Sequence, residues 1–223
     1  MLQNKSDIAK GPLTKEGLFF FDDSLKNNFS KKYLIGVDEV GRGPLAGPVV
    51  AGACVIFNYE PWMSEINDSK KLTASKRNDI FRKMITSKSL KLSFSYCDNN
   101  EIDNLNILNA SLCAMKKAVI RLLNYLNEDP KNFLIAVDGN KKIKDISLEQ
   151  LSIVKGDSKS LAIAAASIFA KVIRDRWMDI IHLSAPVYDF KKHKGYPTKY
   201  HTDMIKKYGL SPYHRKSFSP CKI

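Results

Sequence analysis

Apolar and polar positions alternate along the chain in a way that predicts strands first, and then interleaved helices and strands. Short apolar runs and one strictly alternating run are typical of buried and half-buried strands, whereas apolar residues repeated every three or four positions predict helices. The predicted strands cover residues 33–37, 49–57, 90–96, 133–137 and 150–154. The predicted helices cover residues 68–86, 105–126 and 160–183. This order indicates an α/β fold class, with a mixed β-sheet flanked by helices.

The same pattern divides the chain into three segments. Residues 1–32 are mixed and polar, and we interpret them as an N-terminal extension of unassigned role with at most a docked apolar tip. Residues 33–185 hold the predicted strands and helices and form the expected core. Residues 186–223 are rich in Lys, His, Tyr and Pro, which predicts a small C-terminal segment of short helices and loops.

The composition indicates that the chain can form a hydrophobic core and that it carries a large positive charge. With 44% hydrophobic residues among 223, the chain can close a core, which excludes disorder over its whole length. A net charge of +13 favours a polyanionic partner such as nucleic acid. Only seven of the 36 basic residues are Arg, however, and such a Lys excess also arises from the base composition of a genome. Charge alone leaves both interpretations open.

Cysteine usage and the absence of long apolar runs indicate the compartment. The four cysteines are widely spaced and lack metal-ligand patterns, so we expect reduced thiols. The apolar run 18–21 is too short for a signal peptide, and the uncharged stretch 43–59 is broken by prolines and glycines. We therefore expect a cytoplasmic protein, most simply a monomer, without a membrane partner.

Four acidic residues follow the predicted strands at their carboxyl ends: Asp38, Glu39, Asp138 and Asp157. A single Asp in such a place is usually a turn or helix cap. Four converging carboxylates repel one another unless a cation lies between them, and hard divalent cations prefer such oxygen ligands. A pair of ions about 4 Å apart can activate water and stabilise the leaving oxygen of a phosphodiester. The acids therefore predict a nuclease or polymerase site.

A glycine-rich turn comes directly after the first two acids. The segment 41–47 superficially matches a dinucleotide-binding fingerprint, but its third glycine is one position late, Pro44 interrupts it, and no helix pattern follows. We reject that interpretation. Glycines on both sides of Arg42 instead allow backbone amides to approach a sugar or phosphate beside the acids.

Several blocks of the chain resemble, in order, the signatures of bacterial ribonuclease HII. They are YLIGVDEVGRGPLAGPVVA (33–51), NDSKKL (67–72), VDGN (137–140), KGDS (155–158) followed by AAASI (164–168), HKGY (193–196) and SPYHRKSF (211–218). The resemblance spans about residues 33–220. It implies a ribonuclease H-like core completed by the C-terminal segment, and cleavage of RNA in RNA–DNA hybrids and of single ribonucleotides in duplex DNA. The resemblance also implies that this activity serves ribonucleotide excision repair.

The resemblance also implies roles for individual residues. Asp38, Glu39, Asp138 and Asp157 correspond to the catalytic acids that hold Mn²⁺ or Mg²⁺. The Gly41, Arg42 and Gly43 segment corresponds to the part that contacts the 2′-hydroxyl at an RNA–DNA junction through its backbone, and Tyr196 to the tyrosine of the HKGY block, whose ring can stack on an adjacent sugar or base. Water activated by one ion would attack the phosphate on the 5′ side of the ribonucleotide, which leaves 5′-phosphate and 3′-hydroxyl ends.

Weaker candidates are basic side chains elsewhere in the chain. Lys70 and Lys71, placed at the start of the predicted basic helix, are candidates for phosphate contacts, although a solvated helix face explains them nearly as well. Arg215 has the same two interpretations. We expect His193, His201 and His214 to be surface or phosphate-contacting residues, because they lack metal-ligand spacing.

Two other functions are alternatives to this interpretation. A noncatalytic nucleic-acid-binding module of the same fold would lack at least one of the four acids, and none is missing. A deoxyribonuclease or exonuclease of related fold would cleave a substrate made only of DNA.

Overall fold

The computed structural model describes residues 17–222, which contain a five-stranded mixed sheet in the order β3-β2-β1-β4-β5. The strands are β1 Tyr33–Val40, β2 Val49–Ile56, β3 Leu90–Cys97, β4 Phe133–Asp138 and β5 Gln150–Ile153. Strands β1, β2 and β3 pair antiparallel, whereas β4 runs parallel to both β1 and β5. The mixed sheet predicted from the sequence is confirmed.

Helices cover both faces of the sheet because successive strand residues point to opposite sides. The helices are α1 Gly17–Asn28, α2 Ala74–Thr86, α3 Asn99–Leu105, α4 Ile107–Leu126, α5 Leu161–Ser184, α6 Phe190–His193 and α7 Lys199–Tyr208. In β1, Leu34 packs into the core shared with α1, α2 and α5, whereas Ile35 and Val37 point to the opposite face and pack into the core shared with α4. The sheet is therefore buried between two hydrophobic layers.

Helix α5 crosses the sheet at close range, as its almost wholly apolar first half predicts. A Cβ on Gly36 would lie 2.2 Å from the Ala162 carbonyl carbon, and one on Gly52 would lie 2.4 Å from the Ala166 carbonyl oxygen. These two glycines on neighbouring strands allow the backbone of α5 to approach the sheet. The approach also fixes the helix beside the strand ends that carry the acids.

Helix α1 precedes β1 in the sequence and packs on the core, although the sequence pattern indicates only an extension there. Leu18 and Leu25 are buried in the core on the α5 side. The buried Asp22 carboxylate accepts a 2.9 Å hydrogen bond from the Ala162 amide at the start of α5. The division of the chain at residue 32 stays a prediction, and residues 1–16 of that extension lie outside the described residues.

Two helix boundaries differ from the predicted ones. The helix predicted from residue 68 begins at Ala74, capped by the Thr73 hydroxyl, because the Asp68 carboxylate instead accepts from the Lys70 amide in a turn. The helix predicted from residue 105 begins at Ile107, since Asn106 has a φ of 63° and separates it from α3. Across residues 17–222, every helix is too short or too polar to traverse a bilayer.

Candidate active site

Strands β1 and β4 bring two of the acids side by side. Gly36 pairs with Ala136 and Val37 with Val137 in the parallel register, so Asp38 and Asp138 come at the next position on neighbouring strands. Both side chains lie on the α5 side of the sheet, where the Ser167 hydroxyl bonds to Asp38. Parallel pairing thus brings two acids that are 100 residues apart in sequence next to each other, at the carboxyl ends of two inner strands.

The other two acids lie against this pair. Glu39 follows Asp38 directly, and its amide donates to the Asp38 carboxylate over 2.7 Å. Asp157 lies in a single 3-10 turn between β5 and α5, next to Gly156, whose amide donates to the Asp138 carboxylate over 2.6 Å. The structure therefore brings together all four predicted acids, although their catalytic roles stay predictions.

Burial and the charges of neighbouring carboxylates raise the pKa of Asp38, Glu39 and Asp157. Burial raises the pKa of Asp38 well above its usual value, and the charges of Glu39 and Asp138 raise it further. Burial likewise raises the pKa of Glu39, against the opposing effect of Arg42, and burial together with Asp138 raises the pKa of Asp157. The site is consequently an acidic centre that gains stability from an added cation.

One lysine, Lys70, places a positive charge beside the acids. The Lys70 ammonium lies 3.8 Å from the Asp157 carboxylate, although its side chain is 85% exposed. Partial burial lowers the pKa of Lys70, but the charges of Asp157, Asp38 and Asp138 outweigh this effect and raise it. Lys71 is also exposed, and both lysines lie in the turn before α2 rather than in the helix itself, which corrects the predicted position. Their contacts with phosphates stay predictions.

A cavity of about 280 Å³ opens beside the acids, on the α4 side of the sheet. Glu39, Arg42 and Asp138 line it together with Asn140 and Lys141. In the part of the chain that the structure describes, no three His, Cys, Asp or Glu side chains are arranged as a ready group of metal ligands. The carboxylates are thus gathered at one place without being closed around a common point.

The glycine-rich turn forms the wall of the site next to Glu39. Gly41 has a φ of +97°, and a Cβ there would lie 2.2 Å from the Arg174 guanidinium nitrogen Nε. The Arg42 side chain reaches back to the Glu39 carboxylate over 3.3 Å. Tyr196 is half exposed and close to Gly43, where an added Cβ would lie 3.7 Å from its ring. The structure therefore places Tyr196 against the Gly41–Gly43 segment, although the roles of these residues stay predictions.

Arg215 and the histidines are placed differently from the sequence prediction. Arg215 is fully buried and donates to backbone carbonyls, so it does not lie on a surface that meets phosphates. His201 and His214 are buried too, and their Nε2 atoms are 3.0 Å apart. His193 is half-buried and stacks on His201 at 4.5 Å. The surface interpretation of this group is wrong, because the C-terminal segment packs on the end of α5 and forms with it a small core around Phe190 and Met178.

Sequence reasoning missed two buried polar residues that lie close to the site. The Ser167 hydroxyl of α5 lies 3.0 Å from that of Ser69 and contacts Asp38, which links α5 to the turn that carries Lys70. Arg174 is buried in α5 and donates to the carbonyls of Ala46, Pro48 and Lys194. A polar residue within the apolar half of a predicted buried helix was the available signal for Ser167. Arg174 lies in the polar half of that helix and gave no such signal.

Comparison with known proteins identifies the family of this chain. The family model described as Ribonuclease HII matches residues 35–221. A ribonuclease HII of Fusobacterium nucleatum is 49% identical over 202 residues, which are 90% of this chain and 89% of the relative. One from Clostridioides difficile is 48% identical over 186 residues, which cover 83% of this chain and 69% of the relative.

Solved structures show the same fold. The ribonuclease H2 of Pyrococcus horikoshii matches with a TM-score of 0.63 and 28% identity, over 85% of this chain and 95% of its own. A ribonuclease HIII structure, Bst-RNase HIII in complex with Mn²⁺, matches with a TM-score of 0.67 and 17% identity, over 99% of this chain and 74% of its own. At that identity it supports the fold alone. With the family match over most of its length, the chain belongs to the ribonuclease HII family of nucleases, which act on RNA–DNA hybrids.

Proposed function

We propose that this chain cleaves both the RNA strand of RNA–DNA hybrids and single ribonucleotides embedded in duplex DNA, as a metal-dependent endonuclease. The observation that carries the proposal is the convergence of Asp38, Glu39, Asp138 and Asp157 beside the Gly41–Gly43 segment. Hydrolysis on the 5′ side of the ribonucleotide would leave 5′-phosphate and 3′-hydroxyl ends. We further propose that the protein works as a monomer in the cytoplasm, in ribonucleotide excision repair.

The donor chemistry of the site fits Mn²⁺ or Mg²⁺. Carboxylate oxygens are the ligands that these ions prefer, and burial, together with the charges of neighbouring carboxylates, raises the pKa of Asp38 and of Asp157. We propose that the four acids hold two ions, which requires their side chains to draw together. When bound, such ions supply Lewis acidity that activates water and stabilises the leaving oxygen.

The remaining residues of the site orient the nucleic acid. Gly41–Gly43 presents backbone amides and Tyr196 an aromatic ring at one place, which suits recognition of a sugar 2′-hydroxyl and stacking on its neighbour. Lys70, beside Asp157, is placed to exchange that carboxylate for a phosphate when ions bind, and Lys71 extends the basic surface. The Gly41–Gly43 segment and Tyr196 would thus select the ribonucleotide, and the two lysines would bind the phosphate backbone.

The test is cleavage of a DNA duplex that contains one ribonucleotide, with Mn²⁺ or Mg²⁺ added. Asp138→Asn should reduce cleavage by at least about a thousandfold, the order expected when a metal-dependent site loses a ligand, while duplex binding persists. Asp145→Asn, which changes an exposed acid in the loop between β4 and β5, is the matched control and should retain activity. An intact duplex after incubation with the wild-type protein and metal would refute the proposal, and cleavage of all-DNA duplexes would favour the deoxyribonuclease alternative.

A further inference from the structure

The buried arginine of the C-terminal segment determines the shape of the glycine-rich turn. Resting on the proposed function, we propose that Arg215 is a positioning residue for ribonucleotide recognition: it holds the Gly41–Gly43 backbone so that two amides face the nucleic acid. Arg215 itself is completely buried and does not touch the substrate. It acts through the peptide groups that it binds.

The Arg215 guanidinium binds three carbonyls of the turn. Its Nη2 donates to Gly41 over 2.7 Å, and its Nη1 donates to Arg42 over 3.0 Å. Nε and Nη2 both donate to Gly47, over 3.0 and 2.8 Å. The Arg215 amide adds a 2.8 Å bond to the Leu45 carbonyl. One side chain therefore ties the beginning and the end of the turn to the same point.

Peptide planarity transmits this binding to the amides. In a trans peptide the C=O and the N–H point in opposite directions, so a Gly41 carbonyl directed at Arg215 turns the Arg42 amide away from it. The Arg42 carbonyl does the same for the Gly43 amide. Arg42 and Gly43 are exposed, and neither amide donates a hydrogen bond to any residue between 17 and 222. Two unpaired donors are thus exposed in the segment next to Tyr196, whose ring would lie 3.7 Å from a Cβ on Gly43.

The charge of Arg215 strengthens the orientation. No carboxylate among the described residues forms a salt bridge with Arg215. The charge of Asp103 acts on Arg215, but the Asp103 carboxylate accepts its hydrogen bonds from the Lys216 and Ser217 amides. A buried cation without an ion-pair partner depends on carbonyl dipoles for its stabilisation. Turning either peptide over would remove a carbonyl from this cation and is therefore strongly unfavourable.

Arg174 provides a matched comparison. It is also fully buried and binds the same turn, but its partners are the carbonyls of Ala46, Pro48 and Lys194. None of these belongs to the peptide groups that carry the Arg42 and Gly43 amides. Arg174→Lys and Arg215→Lys therefore disturb the same loop in the same chemical way, and only the second releases the two amides.

The experiment measures selectivity of binding. The dissociation constants for a duplex with one ribonucleotide and for the same all-DNA duplex are measured in Ca²⁺ buffer, with recovered duplex checked for cleavage. We expect the wild-type preference to be roughly 25-fold, because each of two amide hydrogen bonds contributes about fivefold. Arg215→Lys should reduce it below about threefold with unchanged affinity for all-DNA duplex, whereas Arg174→Lys should keep the wild-type preference.

Three results of this experiment would overturn the role proposed for Arg215. A folded Arg215→Lys protein with the wild-type preference would overturn the inference, and so would an equal loss of preference in both variants. If Arg215→Lys does not fold, Phe218→Leu replaces it: this removes the ring 5.0 Å from the guanidinium and leaves the hydrogen-bond partners in place. We expect its preference to fall by about threefold, and an unchanged preference would again overturn the inference. A wild-type protein that neither cleaves nor prefers the ribonucleotide would instead refute the proposed function.

Discussion

The buried carboxyl group of Asp22 makes the stability of this protein depend on pH. Desolvation by burial raises the pKa of Asp22 to about 7, against the lowering effect of its hydrogen bonds with Ser160 and Ala162. One carboxylate oxygen accepts from the Ala162 amide, and the other is buried without a partner among the described residues. Asp22→Asn keeps an acceptor for the amide and removes the titration.

The magnitude follows from the two pKa values. Between the unfolded value of 3.8 and about 7, the folded protein holds a proton that the unfolded chain has released, so stability falls as pH rises. A shift of about 3 pK units at 1.36 kcal/mol each amounts to roughly 4 kcal/mol. Asp22→Asn should therefore be about as stable as the wild type near pH 4, and more stable by up to roughly 4 kcal/mol at pH 8.

Urea unfolding at pH 5, 6, 7 and 8, followed by tryptophan fluorescence, measures this difference. The control is Asp23→Asn, the adjacent acid of α1, whose side chain is 37% exposed and paired with Lys26. Its stability should follow the wild-type pH profile. A constant difference between Asp22→Asn and wild type from pH 5 to 8 would show that the folded Asp22 is ionised throughout, and the reasoning would be wrong.

Three further predictions concern packing, acid stability and nucleic-acid binding. Gly52→Ala should lower the free energy of unfolding by about 1–3 kcal/mol in urea titrations, since its Cβ would meet the Ala166 carbonyl; an unchanged value would contradict the close approach. Burial lowers the pKa of His214 to about 4, so stability should fall between pH 6.5 and 4, and His214→Gln should flatten that loss of roughly 3 kcal/mol. If about five basic residues contact phosphates, duplex affinity should fall with salt at a log–log slope near −4 to −5 while the cleavage site stays fixed; a site that shifts with salt would place selectivity elsewhere.

The four acids were predictable because strand patterns are local. Continuous apolar runs mark the buried parts of β1 and β4, and an acid directly after such a run is visible without knowledge of its neighbours, although the two strands continue through these acids to Val40 and Asp138. The parallel pairing that brings Asp38 beside Asp138 then follows from the fold. The Gly41–Gly43 turn was predictable for the same reason, since glycines around Arg42 mark an exposed backbone in the sequence itself.

Helix starts were less predictable because they depend on competition between nearby caps. Asp68 and Thr73 can both cap a helix, and the sequence favours the first; in the structure the Asp68 carboxylate closes a turn and Thr73 caps α2. Similarly, Asn106 interrupts a periodic apolar pattern that continues from α3 into α4. The pattern specifies which face is buried and leaves the exact boundary to local hydrogen bonding.

The sequence alone determined the strands, the buried helix α5 and the acids and glycines of the candidate site, because each depends on residues close together in the chain. Only the tertiary structure decided the roles of Asp22, Arg215 and His214, all of them polar residues that a sequence pattern assigns to the surface. Asp22 lies 140 positions before the Ala162 amide it binds, and Arg215 lies 174 positions after the Gly41 carbonyl it holds. Burial of a charged group depends on partners brought from such distances, and hydrophobic periodicity carries no information about them.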